Sequence, residues 1–205
     1  WEDLQGLYVE IAAETDDPDR GLQLELRVGE ILKEQIADPS RAIGQYEKLI
    51  EDYSDNENVL QALDELYLLT ENWEGLAGIL RGKIDVCAEP NERISLYFRL
   101  AQTLEDCLSN RTAAFECYQE VLFQSEENED AIAELWRLTE EGVCRSEGVE
   151  LLEPVYTRQE RFEDLKSLYK VAGLKGQKVA FIFTDAEVKE ESFLEYINQI
   201  LMTGE

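Results

Sequence analysis

The sequence contains no histidine. It therefore lacks the side chain that most often serves as a general base or as a metal ligand near neutral pH. It also lacks the GxSxG motif of hydrolases, the HExxH motif of zinc proteases and any Gly-rich phosphate-binding loop. We therefore expect a protein that is not an enzyme and that has no catalytic residues, no cofactor and no metal site.

Basic residues are scarce as well. The chain has 19 Lys and Arg against 46 Asp and Glu, which gives a formal net charge of −27. Such a surface repels the phosphates of nucleic acids and anionic lipid headgroups, so we expect neither as a partner. Two interpretations of the acidity stay open: it keeps a long exposed surface soluble, or it provides an acidic face for a basic protein or peptide.

No apolar run approaches the 20 residues of a transmembrane helix, and no signal peptide is visible, so we expect no membrane insertion. The chain begins at Trp1 and stops at Glu205, which suggests a piece of a longer protein. Its four cysteines have no CxxC spacing and lie in or beside apolar helical stretches. They favour buried free thiols in a reducing compartment, and hence a cytoplasmic location, over zinc or a disulfide framework.

A repeat of 72 residues organises most of the chain. Shifting the sequence by 72 aligns Arg27 with Arg99, Leu32 with Leu104, and Tyr46 with Tyr118. The identities recur three or four positions apart, which preserves one face of a helix while its solvent side varies. The pattern predicts helices over 1–15, 21–36, 41–53, 57–71, 73 onward, 92–108, 111–124, 129–140, 146–159 and 161–172. The expected N-caps are Asp16 or Asp17, with Pro18 in the first turn, then Ser40 and Asn72.

The text GxxL at 29–32, followed by DPSRAIGQYEKLI, resembles the tetratricopeptide repeat, and SNRTAAFECYQEVL at 109–122 matches the same pattern. The period of about 36 residues per hairpin, instead of 34, departs from that family. The resemblance implies an all-α, right-handed superhelix of antiparallel hairpins over residues 1–172. It also implies aromatic wedges between the helices, for which the repeat positions are Trp1, Tyr46, Trp73, Tyr118 and Trp136.

A solenoid of such hairpins carries a groove lined by the first helix of each pair. The candidate groove residues are polar and lie at exposed positions of those helices: Gln23, Arg27, Glu30 and Gln61, with Ser95, Arg99 and Gln102 in the second copy. Both copies keep a cation amid acids, at Arg27 and Arg99. The alternative for Arg27 is a pair within its own helix, with Glu30 or Gln23.

The pattern changes after residue 172. KVAFIFTD at 178–185 is β-branched and aromatic, as in a short buried strand, and EVKEESFLEYINQILM at 187–202 predicts an acidic-start helix. One strand needs neighbours for its hydrogen bonds, and the chain offers none. Residues 173–205 therefore form an atypical C-terminal segment, either fused from another fold or acting as a helical cap.

From Phe162 onward the sequence resembles dynein heavy chain, in a stretch of the fourth nucleotide-binding ATPase module of the motor ring; FIFTD followed by ESFLEYIN carries the resemblance. It implies that Asp185 stands where a Walker B strand ends in its magnesium-associated acid. No GxxxxGK[ST] loop accompanies it. GLAGILRGKI has the wrong glycine spacing and Ile84 where a hydroxyl is needed, so we expect neither ATP binding nor hydrolysis.

The sequence thus favours a non-catalytic scaffold that binds a protein or peptide through the groove and acidic surface. The alternatives are a fragment of an ATP-driven dynein motor and an engineered repeat fusion.

Overall fold

The computed structural model describes residues 1–173. These residues form ten α-helices and no strand, which confirms the all-α prediction for this part of the chain. The helices are α1 Glu2–Ala13, α2 Pro18–Glu30, α3 Pro39–Asp52, α4 Glu57–Leu69, α5 Trp73–Val86, α6 Pro90–Gln102, α7 Arg111–Gln124, α8 Glu129–Glu140, α9 Arg145–Arg158 and α10 Phe162–Gly173. The strand over 178–185, the helix over 187–202 and the boundary at 172 stay predictions, because they fall on or border residues outside this range.

The helix starts are set by short polar side chains. Asp17 accepts hydrogen bonds from the backbone N–H of Asp19 and Arg20, and Pro18 occupies the first turn, as predicted. In α3 the cap is Asp38, which accepts from the backbone N–H of Arg41, and not Ser40 as the sequence suggested. Pro39 takes the first helical position there, where its missing N–H costs no hydrogen bond, and this moves the start of the helix upstream of Ser40.

The backbone repeats its irregularities with the same period of 72. A π-helical turn ends α2 at Ile31–Gln35 and another ends α6 at Thr103–Cys107. In both cases the chain then leaves through a residue in the left-handed region, Ala37 with φ 56° and Ser109 with φ 53°. Since both turns and both exits lie 72 residues apart, the sequence repeat is also a repeat of backbone conformation.

The chain divides into two compact units, Trp1–Cys117 and a second that begins at Tyr118. In the first, α1 packs on α2, α2 on α3, and so on in series to α6. Gly29 lies against the ring of Tyr46, so close that a Cβ atom would come within 2.4 Å of the ring. This contact brings α2 and α3 close together, which a larger side chain at position 29 would prevent.

In the second unit, α9 packs on α8 and α10, and α10 also contacts α8. The connection from α8 to α9 contains two residues with positive φ, Gly142 at 92° and Cys144 at 45°. The side chain of Cys144 makes no capping hydrogen bond, whereas Asn72 caps α5 by accepting from the N–H of Gly75 at 3.1 Å. The two joints, which the repeat aligns, therefore differ in their local chemistry.

The aromatic wedges are confirmed in part. Tyr46 and Tyr118 are buried, and Trp73 and Trp136 are half-buried. Trp1 is 61% exposed, so its assignment to the core is wrong. It is the residue before α1, which packs on α2 and is joined to α3 by the ion pair of Glu2 with Arg41.

The four cysteines form no disulfide bonds within residues 1–173, and they are not uniformly buried. Cys117 is buried, Cys87 and Cys144 are half-buried, and Cys107 is exposed on a π-helical turn. The prediction that the cysteines are buried is therefore wrong for Cys107. None of the helices within 1–173 has the length and apolar character needed to cross a membrane.

Candidate functional site

A cleft of about 300 Å³ lies between α2, with its π-helical turn, and α4. We call it the α2–α4 cleft. It is lined by Leu26, Glu30, Lys33, Glu34, Tyr46, Asn58, Gln61, Ala62 and Glu65. Two of the predicted groove residues, Glu30 and Gln61, therefore face each other across it, one from α2 and one from α4.

The α2–α4 cleft is electrically negative. Three carboxylates, those of Glu30, Glu34 and Glu65, line it with a single ammonium group, that of Lys33. Burial, together with the negative charge of the same three glutamates, raises the pKa of Tyr46 to about 12. The phenol at the cleft therefore stays neutral, and a bound cation would gain from the carboxylates around it.

Hydrogen bonds tie one wall of the cleft together. Glu65 binds Lys33 from the other wall and accepts from Nε2 of Gln61 at 2.8 Å. These two hydrogen bonds, with Lys33 the larger cause, hold the pKa of Glu65 below its usual range. Glu65 thus stays ionised and is paired with Lys33, while Glu30 is paired with Arg27, so Glu34 is the lining carboxylate that neither cation binds.

Behind the cleft the hydrogen bonds continue to three side chains that we call the polar trio: Asp64 on α4, Lys83 on α5 and Arg99 on α6. Nζ of Lys83 donates to Oε1 of Gln61 and to Oδ2 of Asp64, both at 2.6 Å. Arg99 donates from Nη1 to Oδ2 at 2.7 Å and from Nη2 to Oδ1 at 2.6 Å. The polar trio therefore joins three successive helices to the cleft through Gln61.

Asp64 is the most buried charged residue of this set, at 2% exposure. Burial alone would raise its pKa, but hydrogen bonds from Arg99 and Lys83 and their positive charges outweigh it, so the pKa lies below the usual range. A buried carboxylate with two cationic partners is a satisfied ion pair network and resists protonation.

Arg27 and Arg99, which the repeat aligns, behave differently. Arg27 lies on the surface and donates from Nη1 to Oε2 of Glu30, three residues away, at 2.5 Å. This confirms the alternative of a pair within the helix. Arg99 instead reaches Asp64, 35 residues earlier. The two aligned arginines therefore have partners in different places, one in its own helix and one on another helix.

The remaining predicted groove residues do not converge on the cleft. Ser95 donates to the carbonyl of Asn91 in its own helix at 3.0 Å. Gln23 and Gln102 are exposed, the first on α2 and the second at the end of α6. The sequence prediction therefore located two cleft residues and one member of the polar trio among its seven.

Sequence analysis missed Asp64 and Lys83. A signal was present: Leu60, Leu63, Asp64 and Tyr67 are spaced three and four apart, so Asp64 falls on the apolar side of α4. A carboxylate at such a position is buried and needs a cationic partner. The identity of that partner depends on which helices pack on α4, which spacing within α4 does not reveal.

The similarity to known proteins lies in the C-terminal part of the chain, away from the residues of the α2–α4 cleft. Residues 148–205 match a family described as "P-loop containing dynein motor region D4". The C-terminal quarter is dynein-like. The dynein resemblance predicted from Phe162 is thus confirmed, and it begins earlier, at Gly148 inside α9. Of this dynein-like segment, the structure describes 148–173, which form most of α9 and all of α10.

Three relatives illustrate the match. A dynein gamma chain of the flagellar outer arm from Chlamydomonas reinhardtii is 72% identical over 50 residues, which are 24% of this chain and 1% of that protein. Dynein axonemal heavy chain 8 of Mus musculus is 56% identical over 50 residues, again 24% and 1%. Dynein axonemal heavy chain 10 of Homo sapiens is 48% identical over 54 residues, 26% and 1%. The matched stretch is thus a small fraction of the length of these relatives.

The prediction that the chain is not an enzyme is wrong. It rested on the absence of a phosphate-binding loop from the 205 residues. The family that residues 148–205 match is itself a P-loop motor region, and its relatives are dynein heavy chains. A P-loop is the phosphate-binding element of nucleotide-hydrolysing proteins, so a motif missing from a short stretch does not exclude that class. Asp185, the Walker-B-like acid, lies outside the described residues.

Proposed function

We propose that the helical region is a protein-binding scaffold of the tetratricopeptide type, and that the α2–α4 cleft accepts a cationic side chain of a basic peptide. The observation that carries this proposal is the set of three carboxylates around one ammonium group in a cleft of about 300 Å³. That volume is at the small end of ligand pockets, which suits a single side chain better than a whole ligand.

The scaffold proposal also draws on the polar trio. Because Gln61 is held by Lys83 and Glu65, one wall of the cleft is fixed before a ligand arrives. A wall that is already ordered costs less to bind, since its side chains have little rotamer freedom left to lose. Gln23, Arg27, Ser95, Arg99 and Gln102 enter this proposal only as the outer surface along which the peptide would continue.

Two glutamates allow a matched test. Glu34 lines the cleft, and Glu51 is another exposed carboxylate, on α3, that does not. We expect Glu34→Gln to weaken the binding of a labelled ten-residue peptide with three lysines by about threefold to tenfold at low salt, which corresponds to roughly 0.7–1.4 kcal/mol. Glu51→Gln should leave the affinity nearly unchanged. Fluorescence anisotropy at low and at physiological salt measures both, and salt should weaken the binding.

Equal effects of Glu34→Gln and Glu51→Gln would contradict the cleft proposal, because the peptide would then respond to net charge alone. Binding that does not change with salt would contradict the role of the carboxylates.

A second candidate function rests on the family match. We propose that residues 148–205 contribute to an ATP-driven dynein motor, with Asp185 as the acid associated with magnesium. The axonemal names of the relatives then favour a cytoplasmic or axonemal location. The test is thermal unfolding with Mg²⁺ and ATP. A rise in the midpoint that Asp185→Asn removes would support this proposal, and an unchanged midpoint would refute it for this chain.

A further inference from the structure

Lys33 places an ammonium group in the acidic α2–α4 cleft. It lies on the π-helical turn Ile31–Gln35 and binds the carboxylate of Glu65 on α4, so this ion pair joins the two walls of the cleft. The side chain of Lys33 is 29% exposed and that of Glu65 is 48% exposed. The cleft therefore already holds a cation, and that cation belongs to the chain itself.

The two ends of this ion pair differ in how firmly they are held. Oε1 of Glu65 accepts from Nε2 of Gln61 at 2.8 Å, and Oε1 of Gln61 accepts from Nζ of Lys83 at 2.6 Å. Lys33, in contrast, reaches Glu65 with a flexible four-carbon chain. Breaking the pair therefore moves Lys33 into solvent and leaves Glu65 in its place at the cleft wall.

Glu34 is the carboxylate that would act on a ligand together with a released Glu65. Both acids line the cleft, and the negative charges of both contribute to the raised pKa of Tyr46, after burial and the charge of Glu30. Glu30 is already in an ion pair at the surface. A cation that enters the cleft thus finds Glu34 alone while Lys33 remains, and two carboxylates once Lys33 has left.

The sequence repeat does not preserve this arrangement. Seventy-two residues later, the positions of Lys33, Glu65 and Gln61 are taken by Glu105, Arg137 and Ala133. The two charges are exchanged, and a methyl group replaces the amide that fixes the carboxylate. The helical framework therefore does not require an ammonium group at position 33, and the cleft is the better explanation for its presence there.

We propose that Lys33 is an internal competitor for the α2–α4 cleft. In the free protein its ammonium group binds Glu65. A cationic side chain of a peptide takes its place between Glu34 and Glu65, and Lys33 moves into solvent. The competition depends on the proposed function of the cleft, since only a cation that enters there can displace Lys33. Its consequence is regulatory, because any loss of the charge on Lys33 raises the affinity for the peptide.

Replacing Lys33 tests the competition. Lys33→Met keeps an unbranched side chain and removes the charge. We expect the three-lysine peptide to bind the full chain about threefold to fivefold more tightly, because a partly exposed ion pair no longer has to be broken. Fluorescence anisotropy measures the affinity, and circular dichroism checks that the variant is folded.

Lys48→Met is the matched control. Lys48 is exposed on α3 and does not line the cleft, and it lies two residues beyond Tyr46, about 200° around the helix. At physiological salt, which screens exposed charges more than about 8 Å apart, we expect Lys48→Met to change the affinity by less than about 1.5-fold.

Amine labelling follows the displacement directly. A trace amount of acetic anhydride reaches an exposed amine faster than one held in a partly buried ion pair, and mass spectrometry gives the ratio of labelling at Lys33 to that at Lys48. In the free protein we expect Lys33 to react more slowly than Lys48, and Glu65→Gln should bring the two rates closer. Saturating peptide should raise the ratio toward one.

Equal effects of Lys33→Met and Lys48→Met would overturn the competition, while a loss of affinity in Glu34→Gln would still support the cleft function. A labelling ratio that the peptide leaves unchanged would overturn the competition too, as would equal rates for Lys33 and Lys48 in the free protein. If neither the parent chain nor Lys33→Met binds the peptide, the proposed function of the cleft fails, and the competition fails with it.

Discussion

The same three positions of the repeat are polar in one unit and apolar in the other. In the first unit they hold the polar trio, Asp64, Lys83 and Arg99, on α4, α5 and α6. Seventy-two residues later, in the second unit, they hold Trp136, Val155 and Val171 on α8, α9 and α10. Val155 and Val171 are 8% and 9% exposed, and Trp136 is half-buried.

This difference shows that the helix packing does not require ions at these positions. Replacing a buried ion pair with apolar side chains of similar volume is often neutral or stabilising, whereas removing one partner is destabilising. The polar trio is therefore best understood by what else it does, namely hold Gln61 at the wall of the α2–α4 cleft. The apolar counterpart has no such task, since Ala133 replaces Gln61 there.

The largest effect is expected from placing a charge in the apolar set. Val155→Lys should lower the free energy of unfolding by about 3 kcal/mol, because a buried ammonium group without a carboxylate at positions 136 or 171 loses its hydration uncompensated. Urea unfolding measures it. Glu150→Lys, on the exposed side of α9, is the control and should change stability little. A loss below about 1 kcal/mol for Val155→Lys would mean that water reaches this position.

The next effect comes from breaking the polar trio. Asp64→Asn keeps the volume but removes the charge that two cations share, and we expect a loss of about 2 kcal/mol in the same measurement.

Replacing all three residues of the polar trio with apolar side chains tests whether the ions contribute net stability. The triple variant Asp64→Leu, Lys83→Val and Arg99→Val should recover most of the loss seen in Asp64→Asn, to within about 1 kcal/mol of the parent chain. It should nevertheless weaken peptide binding at the cleft, since Gln61 loses Lys83. A triple variant less stable than Asp64→Asn would show that the ions contribute net stability.

The trio also predicts a pH dependence. The folded-state pKa of Asp64 lies below its usual range, so its contribution is complete above the unfolded value of about 3.9 and is lost as pH falls through the folded value. The stability difference between the parent chain and Asp64→Asn should thus be constant from about pH 7 to pH 5 and shrink below about pH 4. A difference that persists at pH 2 would contradict an ionised Asp64.

The smallest effects separate the two aligned arginines. Arg99→Ala should lower the urea midpoint, by less than Asp64→Asn because its side chain is 39% exposed. Arg27→Ala should leave the midpoint unchanged, since its ion pair with Glu30 lies on the surface and is screened by water. Equal shifts for the two would contradict the different partners assigned to the two arginines.

Most of the helical framework followed from local rules. The positions of Asp17, Pro18 and Asn72 marked helix starts, and apolar spacing gave the ten helices. The cap predicted at Ser40 is Asp38 instead, because Pro39 occupies the first position of the helix. The π-helical turns had no visible signal, because each forms the last turn before a loop and no helical residues follow to show the shift in the apolar pattern.

The site was less predictable because it depends on contacts between helices. Glu30 and Gln61 could be proposed from exposure alone, but their position across one cleft follows from how α2 packs beside α4. Arg99 was proposed as a groove residue, but its partner Asp64 is 35 residues away and could not be inferred from spacing within one helix. Trp1 failed because the repeat predicts a face to be buried and cannot supply the helix that buries it.

Five loops in the described chain turn through a left-handed residue that is not glycine: Ala37, Glu71, Ser109, Cys144 and Glu160. A side chain in that conformation costs about 1 kcal/mol relative to glycine, which is the usual residue at such helix ends. The free energy of unfolding is therefore lower than it would be with glycine at these five positions. Its melting temperature should rise through a few loop substitutions that leave the α2–α4 cleft unaltered, which makes the fold an accommodating starting point for engineering.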